Sequence, residues 1–304
     1  MRTVIIDCDP GIDDALALAL AFSHENVDVR GITTVAGNVP LEHVTRNALD
    51  LASFFGAPET PVIMGASAPL EREPVTATVH GATGLEGYRL PRADGDAVVG
   101  ASDYLIDTIL SAHEGEITLV AIGPLTNLAV AVMREPLIAK RVREVVIMGG
   151  GRGVGNSTPV AEFNIFADPH AADIVMTAGW DIVMLGLDLT WQSGITQQDL
   201  DRIRAHHSEK SEAVLAWIEH YSKGETNPTG GGPAVHDACA VGWVADPSIF
   251  VARPAHVRVE TQGARTLGET VVDLDRAYGG EPNAMWTTGI DRSRFWDTVL
   301  TSLE

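Results

Sequence analysis

The sequence predicts an α/β fold: a Rossmann-like, mainly parallel central sheet flanked by helices, with a small late antiparallel addition and a mostly helical C-terminal part. Two observations lead to this prediction. Over the N-terminal two thirds, short β-branched runs alternate with longer segments of helical periodicity, which is the pattern of β-α-β units. No linker or internal repeat divides the 304 residues, so we expect a single domain spanning 1–304.

Six strands are predicted from runs of apolar and β-branched residues. In chain order they cover residues 3–6, 27–33, 61–64, 117–121, 143–148 and 181–186. Five helices are predicted between and after them, several of which open with a capping Ser or Asp or with a first-turn proline. They cover residues 14–22, 41–55, 102–113, 125–133 and 169–178.

The C-terminal third follows a different pattern, because residues 196–245 have mostly helical character. Residues 255–261 and 269–273 then predict the late strand pair, and residues 292–303 predict a closing helix. Two segments rich in glycine and proline, 65–100 and 224–233, predict long loops. Loops of this length in a compact α/β domain are often functional lids.

The charge of the chain argues against polyanionic partners. It carries 21 Lys and Arg against 41 Asp and Glu, a formal net charge of −20, and the basic residues are scattered. Nucleic acids and anionic membranes would therefore meet a repulsive field. Small ligands and cations remain as candidate partners.

The cysteines and the apolar runs indicate a cytoplasmic protein. Cys8 and Cys239 are too few for a disulfide framework and do not stand in a Cys-x-x-Cys pair. No apolar run approaches the roughly 20 residues of a membrane-spanning helix. The first apolar run is also too short for the core of a signal peptide. We therefore expect no membrane partner.

Acidic residues follow the first predicted strand, at the edge where a parallel α/β sheet binds its ligands. Asp7, Asp9, Asp13 and Asp14 stand within eight residues. The helix dipole explains one or two acids at a helix start but hardly four, and uncompensated carboxylates repel one another. Oxygen ligands without a nearby His or Cys cluster favour a hard cation, calcium or magnesium.

Further candidate residues follow later strands or lie in the predicted loops. They are Asn38, Asn156, the run Glu162-Phe163-Asn164, His80 and the pair His236-Asp237. A carboxylate and paired amides suit the hydrogen bonds of a sugar diol, but ordinary turn formation explains the run equally well. A lone His-Asp pair is more often a helix cap beside an ordinary histidine, and only its place after a glycine-rich loop favours a functional role.

With these residues in place, the sequence resembles the inosine-uridine-preferring nucleoside hydrolase family, also called nucleoside N-ribohydrolases. The resemblance extends over essentially the whole chain. The family signature Asp-x-Asp-Pro-Gly-x-Asp-Asp stands at residues 7–14. Three further motifs occur in the family's order. They are Gly-Pro-Leu-Thr-Asn at 123–127, Asn156 followed by Ala-Glu-Phe-Asn at 161–164 and Asp-Pro at 168–169, and His-Asp-Ala at 236–238. This combination of motifs is highly specific.

The resemblance implies a glycosidase of nucleoside salvage that cleaves the N-glycosidic bond of ribonucleosides to free base and ribose. It implies one calcium ion per subunit, and the protein ligands would be Asp9, Asp14, Asp237 and the backbone carbonyl of Ile122. By the same resemblance, Asp13 looks like the general base that activates the attacking water. The family also implies a homodimer or homotetramer.

The remaining roles that the resemblance implies concern the substrate. His236 looks like the general acid that protonates the leaving base, and His80 would also face the base. The ribose clamp would consist of Asn38, Asn156, Glu162 and Asn164, with Phe163 packed against the sugar. Trp191 departs from the family, which often has a histidine there, and Trp217, His220 and Tyr221 do not align securely with the family's base-sensing tyrosines. Base preference therefore stays open.

Two alternative functions compete with this interpretation. A strand that ends in Asp-x-Asp is also typical of haloacid-dehalogenase-like phosphatases, in which Asp7 would be the nucleophile and magnesium the cofactor. Against this alternative, the residues after the second Asp differ from that superfamily's pattern, and the chain has few lysines. The second alternative is a non-catalytic, calcium-dependent protein that binds nucleosides or sugars.

Overall fold

One mixed sheet organises residues 1–303, which the computed structural model describes, and it contains ten strands. Along the chain these are β1 Arg2–Cys8, β2 Val27–Thr34, β3 Val62–Met64, β4 Val98–Val99, β5 Ile117–Ala121, β6 Glu144–Met148, β7 Ile182–Leu185, β8 Phe250–Val259, β9 Thr270–Asp273 and β10 Ala284–Ile290. Their order across the sheet is β4-β3-β2-β1-β5-β6-β7-β10-β8-β9. The strands from β4 to β10 in this order are parallel, whereas β8 and β9 are antiparallel additions.

The helices connect these strands and extend the C-terminal part. In chain order they are α1 Ile12–Ser23, α2 Leu41–Phe54, α3 Ala101–Ser111, α4 Thr126–Arg134, α5 Ile138–Arg141, α6 Phe163–Ala167, α7 Pro169–Thr177, α8 Leu187–Thr190, α9 Gln197–Ala205, α10 Glu209–Tyr221, α11 His236–Ala245 and α12 Arg292–Thr301. Within residues 1–303, no helix is both long and apolar enough to cross a membrane.

Two hydrophobic cores lie on the two faces of the sheet. Alternate residues of a strand point to opposite faces, and β1 accordingly contributes Val4, Ile6 and Cys8 to one core and Ile5 to the other. The first core is closed by α1, α2, α10, α11 and α12. The second is closed by α3, α4, α5 and α7. Buried on both faces, the parallel strands read as continuous apolar runs, which is why the sequence predicted them.

The predicted fold class is confirmed, and all six predicted strands are present with ends that shift by at most two residues. The five predicted helices, the closing helix and the late antiparallel pair are present as well, although β8 begins at Phe250 rather than at residue 255. The predicted loop 65–100 contains the short edge strand β4.

The sequence did not predict two strands, the two-residue edge strand β4 and the longer β10. Strand β10 lies between β7 and β8 and runs parallel to β7. Thr287, Thr288 and Gly289 interrupt its apolar pattern. Trp286 and Thr287 are nevertheless fully buried, because the strand has a neighbour on each side and helices above. Its place in the sheet therefore depends on partners distant in the sequence.

Replacing Gly186 with alanine should lower the free energy of unfolding by about 1–3 kcal/mol, the usual cost of overpacking. Gly186 follows β7 with an ordinary φ of −80°, but an added Cβ would collide with the buried indole ring of Trp286. Urea unfolding measures the change. As a matched control, Gly289→Ala in β10 would place its Cβ no closer than 3.7 Å to Val251 and should leave stability nearly unchanged. Equal stabilities for the two variants would contradict this packing.

Candidate active site

A cavity of about 750 Å³ opens at the carboxyl edge of the parallel strands. Residues that follow β2, β5 and β6 line it, together with parts of the predicted loops 65–100 and 224–233. The candidate residues from the sequence line this cavity, except Asp7, Asp9 and Asp14, which are buried and do not reach its surface. The structure therefore brings together side chains that are distributed over most of the chain.

Three buried carboxylates form the floor of the cavity. Asp13, Asp14 and Asp237 each offer one oxygen, and these oxygens lie within 4.8 Å of one another. Asp13 and Asp14 stand in the first turn of α1, and Asp237 stands in the first turn of α11. Helices α1 and α11 pack against each other. This packing brings Asp13 and Asp14, near the start of the chain, beside Asp237 in its C-terminal third.

The loop between β1 and α1 is built around the carboxylate of Asp14. Its oxygens accept hydrogen bonds from the backbone N–H of Gly11 at 2.8 Å and of Asp9 at 3.3 Å. Gly11 is the N-cap residue of α1, so its N–H belongs to the donors that the start of a helix leaves without intrahelical partners, whereas the Asp9 N–H lies in the preceding loop. The side-chain amide of Asn38 adds bonds to the Asp9 carbonyl oxygen at 3.0 Å and to Asp14 at 3.3 Å. The acidic loop is thus held mainly by N–H donors.

Asp9 adjoins this floor, and one of its oxygens has no partner. Oδ2 accepts the Asn38 backbone N–H at 2.6 Å, whereas Oδ1 is buried without a hydrogen bond. A Cβ on Gly123 would lie 2.7 Å from Oδ1, and a Cβ on Gly37 would collide with Oδ2. Glycine at both positions leaves the room that this carboxylate occupies.

Burial and mutual repulsion disfavour the charged forms of these acids. Desolvation raises the pKa of Asp9 and of Asp237 well above its usual range, and neighbouring carboxylates raise both further. The same two causes raise the pKa of Asp14 to about 7. A hard divalent cation would relieve this repulsion, and the donor set fits one because it consists of oxygens. The carbonyl of Ile122, which also lines the cavity, could join it.

Asp7, the first acid of the motif, does not belong to the cavity. Its Oδ1 accepts hydrogen bonds from the Thr33 hydroxyl at 2.5 Å and from the Asn127 side-chain amide at 2.7 Å. Burial raises its pKa to about 7, and the side chain is 1% exposed. Because Asp7 fastens β1 to β2 and α4, it cannot serve as the nucleophile that the phosphatase alternative requires.

One wall of the cavity is formed by the start of α6. Glu162 caps this helix by accepting the backbone N–H groups of Asn164 at 2.9 Å and Ile165 at 3.1 Å, and it also accepts that of Gly150 at 3.0 Å. Burial raises the pKa of Glu162. Asn164 donates its side-chain amide to the carbonyls of Ile122 at 3.0 Å and Met148 at 3.1 Å. These residues therefore serve local turn structure and line the cavity as well.

The rim beside this wall carries the remaining candidate amide and aromatic residues. Asn156 is exposed, and its Oδ1 accepts the backbone N–H of Phe163 at 2.9 Å. Phe163 is partly buried and also lines the cavity. The hydrogen bond fixes the orientation of the Asn156 side chain at the entrance.

Two buried histidines, His80 and His236, line the cavity. The Nδ1 of His80 accepts the backbone N–H of Ile12 at 3.1 Å, and its ring stacks on Tyr221 with centroids 5.2 Å apart. Burial lowers the pKa of His80, although Asp13 opposes this effect from 3.9 Å. The Nδ1 of His236 lies 2.7 Å from the Thr190 hydroxyl. Its Nε2 lies 3.7 Å from Oε1 of Glu225.

Sequence reasoning missed three residues of this region, namely Thr190, Tyr221 and Glu225. Tyr221 ends α10, and its sequence position does not align securely with the base-sensing tyrosines of the family. Glu225 lies in the segment 222–235 between α10 and α11, where no periodicity indicates which side chains are buried. The one signal available for Glu225 was that it is the single acid within the predicted glycine- and proline-rich loop.

Trp191, the residue at which the chain departs from the family, lines the cavity and is 8% exposed.

Comparisons with known proteins agree over the whole chain. The family model described as inosine-uridine preferring nucleoside hydrolase matches residues 4–297. The pyrimidine-specific ribonucleoside hydrolase RihA of Shewanella woodyi is 40% identical over 306 residues, which cover 100% of this chain and 98% of that protein. The structure of the purine-preferring ribonucleoside hydrolase from Gardnerella vaginalis superposes with a TM-score of 0.92 at 30% identity, covering 99% and 98% of the two chains. The structure of a plant nucleoside hydrolase, PpNRh1, superposes with a TM-score of 0.90 at 34% identity, covering 99% of this chain and 98% of that chain.

Removing divalent cations with EDTA should lower the midpoint of thermal unfolding by several degrees, and excess calcium or magnesium should restore it. A cation that binds only the folded state stabilises it, by about 3 kcal/mol at a free concentration a hundredfold above Kd. Differential scanning calorimetry measures the shift.

Two aspartate variants separate this effect from general ion binding. Asp237→Asn removes one carboxylate of the floor and should largely abolish the cation-dependent shift. Asp107→Asn makes the same chemical change on the exposed side of α3 and should preserve it. Identical midpoints with and without EDTA in the unmodified protein would contradict a cation site at the floor.

Proposed function

Because the chain belongs to the inosine-uridine preferring nucleoside hydrolase family, we propose that the cavity above the buried carboxylates is its catalytic site. The chain is a ribonucleoside hydrolase, an enzyme that cleaves the N-glycosidic bond to free base and ribose. One observation carries the assignment of the site: the acidic floor, the α6 wall and His236 line a single cavity. The phosphatase and the non-catalytic alternatives both fail, because the whole chain matches nucleoside hydrolases.

The acidic floor is assigned one calcium ion per subunit, with Asp9, Asp14, Asp237 and the Ile122 carbonyl as ligands. The orphaned Oδ1 of Asp9 supports this assignment, since a buried carboxylate oxygen needs a partner. A ligand set of oxygens alone favours calcium or magnesium over zinc. When bound, the ion would hold the attacking water and the ribose 2′- and 3′-hydroxyls and would lower the pKa of that water only modestly.

Asp13 is assigned the role of general base. Among the three carboxylates of the floor and the adjoining Asp9, it is Asp13 and Asp237 that line the cavity, and Asp237 is assigned to the cation. Asp13 accepts the proton of the attacking water as the water adds to C1′. The transition state resembles an oxocarbenium ion, and the surrounding carboxylates stabilise its positive charge.

The wall and rim of the cavity are assigned to the ribose. The clamp consists of Asn38, Asn156, Glu162 and Asn164, with Phe163 packed against the sugar. Asn38, Glu162 and Asn164 are buried, Asn156 is exposed at the rim, and the hydrogen bonds of all four hold them in place before substrate binds. A 2′-deoxynucleoside would leave one of these buried polar groups without its partner, so strong discrimination against it is expected.

His236 is assigned as the general acid, and Nε2 as the atom that carries the proton. Thr190 lies against Nδ1, which leaves Nε2 for the leaving base. A nucleobase leaves poorly as an anion, and an imidazolium is a suitable proton donor near neutral pH. His80, stacked on Tyr221, faces the base from another side of the cavity.

The cellular and quaternary assignments follow the family resemblance. We assign the chain to a cytoplasmic homodimer or homotetramer whose subunits each form one domain. Cys8 and Cys239 are both buried and unpaired, which suits a reducing compartment. The continuous ten-stranded sheet supports a single domain.

Purified protein should release reducing sugar from at least one of inosine, uridine, cytidine, adenosine and guanosine. Asp13→Asn should lower kcat by about 10²–10⁴-fold, because general-base catalysis contributes that much. The exposed control Asp107→Asn should keep full activity. A protein that bound nucleosides tightly but released no ribose from any of the five would contradict the proposed mechanism.

His236→Ala should slow the cleavage of natural nucleosides by about 10²–10⁴-fold but slow p-nitrophenyl riboside much less. The p-nitrophenolate leaving group needs no proton, so loss of the acid matters little for it. Steady-state rates on the two substrate types give the comparison, and His113→Ala at an exposed position serves as the control. Equal losses on both substrate types would reject His236 as the acid.

A further inference from the structure

The cavity holds a carboxylate that the proposed mechanism does not use. Glu225 lies between α10 and α11 and lines the cavity, and its side chain is 8% exposed. Its Oε2 is buried and has no hydrogen-bond partner among residues 1–303. An unsatisfied buried acceptor is expensive, and more so when it is charged. Such a group is expected to meet its partner in the ligand.

Glu225 stands beside the atom that is assigned to protonate the leaving base. Its Oε1 is 3.7 Å from Nε2 of His236. This separation is too long for a hydrogen bond, so the two atoms do not satisfy each other. The Thr190 hydroxyl, 2.7 Å from Nδ1, fixes the imidazole ring with Nε2 toward Glu225.

The two side chains therefore offer a ligand two different hydrogen-bonding groups, side by side. When Nδ1 of His236 accepts the Thr190 hydroxyl, Nε2 carries the ring proton and donates, whereas an ionised carboxylate only accepts. A ligand edge with an acceptor next to a donor would satisfy both. An edge with two adjacent acceptors would satisfy His236 and bring a carbonyl oxygen against the carboxylate.

We propose that Glu225, together with His236, reads the amino group of the nucleobase and makes the enzyme prefer amino-bearing ribonucleosides over their oxo counterparts. Adenine presents the N7 acceptor beside the N6 amino donor, and cytosine presents the N3 acceptor beside the N4 amino donor. Hypoxanthine keeps the N7 acceptor and carries a carbonyl oxygen in place of the amino group. Uracil carries a carbonyl oxygen in place of the amino group and an N3–H donor in place of the N3 acceptor, so both of its groups are mismatched to the pair. The inference rests on the proposed function, because it takes His236 to face the leaving base.

The names of two relatives of this chain differ in base preference. RihA of Shewanella woodyi is described as pyrimidine-specific, and the Gardnerella vaginalis enzyme as purine-preferring, although both are similar to this chain over its length. Glu225 reads a feature that is independent of ring size, since the amino-to-oxo change occurs in purines and in pyrimidines alike. The assigned preference is therefore adenosine over inosine and cytidine over uridine.

Two matched substrate pairs test the assignment. The values of kcat/KM for adenosine against inosine and for cytidine against uridine are measured for the unmodified enzyme and for Glu225→Gln. The unmodified enzyme should favour the amino member of a cleaved pair by about tenfold or more, as bidentate base contacts do. Glu225→Gln should reduce that ratio by about tenfold, because its amide can donate to a carbonyl oxygen. Both substrates of a pair are measured with the same enzyme preparation, so the fraction of folded enzyme cancels from the ratio of their kcat/KM values.

Glu219→Gln is the matched control, since Glu219 lies on α10 with a side chain that is 80% exposed. It should leave the ratios unchanged. If Glu225→Gln slowed all substrates equally and kept the ratios, Glu225 would only orient His236, and the proposal would be overturned. Amino-to-oxo ratios at or below one in the active, unmodified enzyme would overturn it as well. Absence of ribose release from every nucleoside would instead overturn the proposed function, and this inference with it.

Discussion

The repulsion among carboxylates buried beneath one cavity is the constraint on which the rest of the structure depends. Asp9, Asp13, Asp14 and Asp237 are each at most 7% exposed, and burial together with neighbouring carboxylates raises the pKa of Asp9, Asp14 and Asp237. Buried acids of this kind need compensation from fixed hydrogen-bond donors or from a cation. The backbone N–H groups of Gly11, Asp9 and Asn38 supply part of this compensation.

Several distant features of the fold follow from that requirement. Gly37 and Gly123 lack the Cβ that would press on Asp9, so two loops from different strands can close over it. The neighbouring strands β1 and β5 bring the Ile122 carbonyl to the same edge as Asp9. The packing of α11 on α1 adds Asp237 from the far end of the chain. A sheet order that separated β1 from β5, or α11 from α1, would leave the acids without their partners.

The sequence predicted the parallel strands and most of the acidic floor for one physical reason. Parallel strands are buried on both faces and read as apolar runs, and ligand residues follow their carboxyl ends. It could not separate Asp7 from the other acids of the motif, because Asp7 is turned away only by its bonds to Thr33 and Asn127. It missed β10 and Glu225, whose burial depends on neighbours far away in the sequence.

The acidic floor and the segment that carries Glu225 are held in place by different contacts. The floor is tied to helix starts and strand ends, so a substitution there disturbs the fold and the chemistry together. The segment 222–235 is instead held at its middle by Asn227, whose side-chain amide donates to the carbonyls of Trp191 and Gly232 at 2.9 and 3.0 Å. Because these anchors are backbone atoms, the side chain at 225 can change without loosening the segment. Under the proposed function, base choice can therefore vary independently of the acidic floor.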